Sequence, residues 1–263
     1  MIDISVNLTH ESLSQSIPDI LKRATNCGVS HMIITGSSIS ASSEAIKIAM
    51  KSHAFFSTAG IHPHHANEFK DEDIELISNM LKHQKTVAIG ECGLDFNRNF
   101  SSIYNQINCF SHQLNLAKKM SIPVFLHQRD AHEQMLAILD NYNMHLHPGV
   151  MHCFTEGTDK LRDYLDRGLY IGITGWISDL KRGQQLRESI KFLPLDRMMI
   201  ETDAPYLLPK NLQVKPKGRI NEPCFLPYIV REIALYKGCS VDEIISSSRK
   251  NTIDLFKLPI PVS

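Results

Sequence analysis

The chain has 263 residues, 43% of them apolar and 21% charged, so a large buried core is within reach and extended disorder is excluded. Lys plus Arg and Asp plus Glu balance at 28 each. There is no global attraction to polyanions, and contact with nucleic acid has to come from a local basic patch.

Strand-like apolar runs are read, in chain order, at residues 2–7, 31–36, 55–60, 86–91, 123–127, 149–153, 169–175 and 197–203. Between them, residues 41–51, 71–83, 103–120, 131–142, 158–167 and 184–192 repeat apolar side chains at helical spacing. Two more helices are expected at 226–236 and 241–256, the second opened by Ser240 with Glu243 three residues on, a capping-box pattern. Strand-to-strand spacing is mostly about 20–35 residues, the length of a βα unit. Eight such units fit a TIM-type (β/α)8 barrel, an α/β fold that takes about 250 residues as one domain. A single domain over residues 1–263 is therefore expected, with a seven-stranded distorted barrel as the alternative.

The six cysteines are scattered without C-x-x-C spacing, as in reduced cytosolic proteins. The opening MIDISVNLTHESLSQ lacks the features of a signal peptide, and no window approaches a membrane span. A monomeric cytoplasmic enzyme without membrane contact is the expectation.

Four of the apolar runs end on metal-type ligands: Glu91, His127, His152 and Asp203. In a parallel barrel all strand C-termini lie on one face, so these groups converge. Each alone has an ordinary explanation, packing for a histidine and helix capping for a carboxylate. Together, two imidazoles and two carboxylates suggest a divalent-metal hydrolase site. Carboxylates suit Mg²⁺ or Mn²⁺, while the imidazoles also admit Zn²⁺. Asp203, in IETDAP, reads as a ligand, as the base that deprotonates water, or as both. Asp95, in the loop after Glu91, either orients a ligand or caps a turn.

Substrate contacts are read at the same face. His62, ending the third strand in GIHPHH, could meet a phosphate or a leaving group, with His64 as a further candidate. Arg129 suits a bidentate hold on phosphate, or a structural pair with Asp130 or Glu133. The irregular stretch from 204 to about 223 carries Lys210, Lys215, Lys217 and Arg219, either a phosphate track or a solvated loop. Trp176, Phe96 and Phe154 at other strand ends could stack on bases or pack in the core.

At these residues the chain resembles the TatD-like deoxyribonucleases, through GIHPHHA, AIGECGLDFNR, PVFLHQRDAHE, GVMHCFTEG, IETDAPYLLP and NEPCFLP. The resemblance is closest to the exonuclease that gives the family its name. It implies a magnesium-dependent 3′→5′ exonuclease on single-stranded DNA and RNA, in a TIM-type barrel, with roles in DNA repair and nucleic-acid breakdown. By position, Glu91, His127 and His152 then look like metal ligands, Asp203 like ligand and base, and His62 like a substrate-side residue. Glu91, Asp203 and His62 would form the catalytic set.

One departure stands out. The wider family opens with D-x-H-x-H, whereas this chain reads DISVN, with Ser5 and Asn7 at the histidine positions. Asn can offer an oxygen to a hard ion, and Ser is a poor ligand. One well-held metal is expected, with a second that is weak or arrives with the substrate phosphate. The rival expectations are an amidohydrolase-like ester or amide hydrolase, such as a D-aminoacyl-tRNA deacylase, and a non-catalytic nucleic-acid-binding barrel.

Overall fold

The computed structural model describes residues 1–261, apart from the side chains of Leu146 and Lys217. Its strands are β1 (Ile2–Val6), β2 (His31–Ile34), β3 (Phe55–Ala59), β4 (Thr86–Asp95), β5 (Val124–Arg129), β6 (Gly149–Met151), β7 (Tyr170–Ile173) and β8 (Met198–Ile200). They form one eight-stranded sheet in the order β1 to β8, the TIM-type (β/α)8 arrangement. Every apolar run read from the sequence is a strand, so the seven-stranded alternative falls. The strands are buried almost throughout, as required when helices cover a parallel sheet.

The helices are α1 (Glu11–Ser14), α2 (Ile17–Asn26), α3 (Ile39–Ala49), α4 (Asp73–Met80), α5 (Ile103–Met120), α6 (His132–Asn141), α7 (Thr158–Asp166), α8 (Gln184–Ser189), α9 (Leu226–Lys237) and α10 (Val241–Phe256). The expected capping box opens α10, with the Ser240 side chain accepting from Glu243 N and Glu243 accepting from Ser240 N. Helix α2 is not among the helices expected from the sequence, although Ile17, Ile20, Leu21 and Ala24 repeat at helical spacing. It buries only Ile20 and Ala24 of its ten residues and carries Pro18 in its first turn. Among the described residues, no helix is long and apolar enough to cross a membrane.

The chain divides into two compact units. The first comprises Met1–Ile34, Cys153–Leu165 and Tyr170–Ser263, and so holds β1, β2, β7 and β8. Within it the last strand meets the first: Asp203 N donates to Ser5 O (3.0 Å) and Asn7 N to Ala204 O (2.8 Å). Helix α10 lies against β8, with Asn251 Nδ2 donating to Met198 O at 2.8 Å. The second unit, Thr35–His152 with Asp166–Leu169, holds β3 to β6. Long α5 runs beside β4 there, and two buried glutamines on it grip loop backbone. Gln106 accepts from Asp95 N (2.9 Å) and donates to Asp95 O (3.1 Å). Gln113 does the same for Ile61, at 2.8 and 3.0 Å.

Asp3 ties the β1–β8 seam. Its Oδ1 accepts from Thr202 N (2.9 Å) and its Oδ2 from Thr202 Oγ1 (2.5 Å). Burial pushes the Asp3 carboxyl up to about 7, against the hydrogen bonds from Thr202 and Ser5 that favour its charge. Between its ordinary value of 3.8 and about 7, the folded chain therefore holds a proton that the unfolded chain has released. That stabilisation is complete below the lower value and is lost as pH rises through the upper one. Asp3→Asn is expected to remove this slope, on the order of 4 kcal/mol between about pH 4 and pH 7. Urea denaturation of both proteins across that range measures it, and parallel pH profiles would refute it.

Candidate metal centre

The centre is built on β4. Gly90 and Gly93 flank Glu91 and Cys92 with φ of 127° and 145°. A Cβ at Gly90 would lie 2.2 Å from Phe125 O, and one at Gly93 would lie 1.9 Å from His127 O. Only glycine lets the β4 backbone come this close to β5. That approach keeps β4 paired with β5 as far as Asp95↔Arg129, four residues past the predicted strand end.

Glu91 is 7% exposed, and one of its oxygens serves three imidazoles. Oε1 lies 2.8 Å from His152 Nε2, 2.9 Å from His127 Nδ1 and 3.4 Å from His62 Nε2. Burial alone would raise the Glu91 carboxyl, but His62, His152 and His127 outweigh it and hold it well below the usual range. For His62, burial lowers the imidazole to about 4 despite the neighbouring carboxylate, so the ring is neutral near pH 7. Its Nδ1 accepts from His64 N at 3.1 Å, which puts the ring proton on Nε2, the atom facing Glu91. For His127, burial opposes the charged form, yet the carboxylates of Asp95 and Glu91 push it up.

Ligand atoms of His62, Glu91 and His127 all lie within 4.8 Å of one another. His127 Nε2 is buried and has no hydrogen-bond partner, with Asp95 Oδ2 the facing acceptor at 3.7 Å. An unsatisfied buried nitrogen beside an ionised carboxylate is a donor set that fits a divalent cation. His62 stands inside this cluster.

Asp95 caps a turn and faces two imidazoles. Its Oδ1 caps a turn by accepting from Asn97 N (3.0 Å) and Arg98 N (2.8 Å). Its Oδ2 meets His64 Nε2 at 2.8 Å and faces His127. Burial opposes ionisation of Asp95, but the facing His127 ring, the His64 contact and the turn amides hold its carboxyl well below the usual range. His64 thus has one ring nitrogen committed to Asp95, and Arg129 is exposed at the end of β5.

Asp203 belongs to the first unit, directly after β8, in the left-handed region at φ 53°. Asn7 Nδ2 donates to Asp203 Oδ1 (3.1 Å) and to Ala204 O (3.2 Å), and Ser5 Oγ lies 3.5 Å from the same carboxylate oxygen. The residues standing where the family has histidines thus serve Asp203 as donors. Trp176 and Arg219 line a cavity in that unit, while the Lys217 side chain lies outside the described residues. Phe154 is buried and packs on Tyr164.

Sequence reasoning missed three groups here. Glu201 is fully buried in the same IETDAP segment and accepts from Cys153 N at 2.5 Å. Its signal was a carboxylate two residues before Asp203. Gln106 and Gln113 could have been found as polar residues seven apart on the buried face of α5.

Residues 2–257 match the family described as TatD related DNase. The chain belongs to the TatD family. It is 46% identical over 260 residues to a protein of Erwinia amylovora named 3′-5′ ssDNA/RNA exonuclease TatD, covering 98% of this chain and all of that one. A Salmonella typhimurium protein of the same name is 43% identical over 258 residues, covering 98% and 99%. Among solved structures, a TatD homologue from Escherichia coli superposes with a TM-score of 0.90 at 26% identity, covering 98% of both chains. A TatD family hydrolase from Entamoeba histolytica gives 0.88 at 27%, covering 97% of each.

Gly93→Ala tests how the TatD-family centre is supported. The new methyl group would press on His127 O, and we expect about 3 kcal/mol or more of destabilisation, read by chemical denaturation. A loss under about 0.5 kcal/mol would mean that the close approach is not needed.

Proposed function

We propose that this TatD-family enzyme is a divalent-metal-dependent 3′→5′ exonuclease on single-stranded DNA and RNA. The observation that carries the proposal is the buried Glu91 carboxylate with His62, His127 and His152 gathered on one of its oxygens. The exonuclease names of near-full-length relatives support the substrate class. They do not favour the deacylase or the non-catalytic alternative.

Glu91, His127 and His152 would hold the ion, with Asp203 as a further ligand by its position after β8. When bound, such an ion supplies Lewis acidity, lowering the pKa of water and polarising a phosphoryl oxygen. Mg²⁺ is the first choice, with Mn²⁺ and Zn²⁺ as alternatives. Asp203 takes the proton of the attacking water, and its carboxylate is oriented for that by Asn7 Nδ2 and Ser5 Oγ. Water attacks the terminal phosphorus in line, the bond from phosphorus to the penultimate O3′ breaks, and that oxygen takes a proton from solvent while Asp203 gives its own back to water. Neutral His62, with its proton on Nε2, donates to a phosphoryl or leaving oxygen. Arg129 and His64 would meet substrate phosphates. Since Asn7 and Ser5 turn toward Asp203, a second ion has few ligands at β1.

A 5′-labelled oligonucleotide and metal-stripped protein, with and without Mg²⁺, provide the test. A ladder shortening from the 3′ end only when metal is present is expected. Asp203→Asn and Glu91→Ala should each lose about 10²–10⁴-fold or more in turnover with an unchanged circular dichroism spectrum. Wild-type turnover in either variant would refute its assignment. An intact oligonucleotide under every ion would move the activity to ester or amide hydrolysis.

A further inference from the structure

The first unit contains a cavity of about 290 Å³ between the turn after β7 and the loop after β8. Its floor is fixed by backbone and buried polar contacts. A Cβ at Gly175 would lie 2.3 Å from Leu207 O, so the two segments touch. Lys210 N donates to Ser178 Oγ (2.8 Å), which in turn donates to Gly175 O (2.6 Å). Buried Asn221 donates to Thr202 O (2.9 Å) and Tyr206 O (2.7 Å), pinning the loop that starts at Asp203. The cavity is therefore formed before any ligand arrives, which lowers the ordering cost of binding.

Its lining combines stacking surface with positive charge. The Arg182 guanidinium lies 4.2 Å from the centroid of the Trp176 ring, and Trp176 Nε1 donates to Arg182 O at 3.2 Å. Asp179 holds Arg182 in place at 2.8 Å and is the one carboxylate in the lining. Lys210, Lys215 and Arg219 add three further cations. Tyr206, half exposed, adds a second aromatic face.

We propose that this cavity binds one internal nucleotide of a single strand, its base stacking on the Trp176–Arg182 pair and its flanking phosphates meeting Lys210, Lys215 and Arg219. A planar guanidinium over an indole is a surface that accepts any base, and clustered cations track a sugar–phosphate backbone. The chain's neutral overall charge makes this local excess the electrostatic feature that a polyanion would find. Pro205 and Tyr206 follow Asp203 by two and three residues and line the cavity, so occupancy there is linked through the loop to the proposed base. The inference rests on the nucleic-acid reading of the substrate. It deepens that reading by giving the strand a hold besides its terminal phosphodiester.

Trp176 is the only tryptophan of the chain, so tryptophan fluorescence reports on this cavity alone. Metal-stripped protein is titrated with dT8 and with rU8, which remain uncleaved without metal. Saturable quenching by both is expected, weakening with added salt. It should weaken about tenfold in a Lys215→Glu, Arg219→Glu double variant whose circular dichroism is unchanged. Inorganic pyrophosphate, which offers phosphates without a base, should not quench. Absence of quenching, quenching indifferent to the charge reversal, or equal quenching by pyrophosphate would each overturn the proposal. Quenching by only one of the two sugars would overturn the sugar-blind stack. Because binding is read without turnover, the outcomes separate. Quenching in a protein that never shortens an oligonucleotide sinks only the exonuclease, and shortening without quenching sinks only the cavity.

Discussion

One buried carboxylate oxygen organises the second unit. Glu91 Oε1 gathers His62, His127 and His152, which arrive on different segments of the chain. A buried carboxylate is costly without partners, and buried imidazoles without acceptors are costly too. Bringing them together satisfies both and leaves His127 Nε2 without a partner at the edge of the cluster. Gly90 and Gly93 allow the close β4–β5 approach, and Asp95 faces His127 while binding His64. The burial of these groups thus supports a donor set poised for a cation.

The first unit answers with a different arrangement. Asp3 and Thr202 tie β1 to β8, and two and four positions further on Ser5 and Asn7 turn to the Asp203 carboxylate. The family resemblance would put histidines at those two positions. Short hydroxyl and amide donors here make β1 a support for Asp203. The same loop continues into the cavity walled by Trp176 and Arg182. The proposed base and the 205–219 side of the proposed nucleotide hold are in that way on one continuous stretch of chain.

Much of the fold was legible because buried parallel strands are short apolar runs at regular spacing. All eight are strands, and α5 and α10 have the predicted bounds, since their apolar stripes and caps agree. Helix α2 was legible too, from Ile17, Ile20, Leu21 and Ala24 at helical spacing, but the stripe is short and has no side-chain cap to mark its start. Strand β4 outruns its prediction because the glycines that look like a strand end are what permit continued pairing.

For the site, residue types at strand ends were enough to single out Glu91, His127, His152, Asp203 and His62, because parallel topology sends every strand end to the same side of a sheet. The sequence by itself proposed that set and pointed to the family to which the chain belongs. Only the tertiary structure decided which nitrogen of each ring faces Glu91, that Asn7 donates to Asp203, and that Gln106 and Gln113 hold the loops in place. It also decided that Trp176 stacks on Arg182 in a basic cavity. Such facts depend on how side chains from separate elements meet in space, where a shift of about an ångström makes or breaks a contact. Hydrogen bonding is short-ranged and directional, so a linear pattern can name the partners without fixing how they meet.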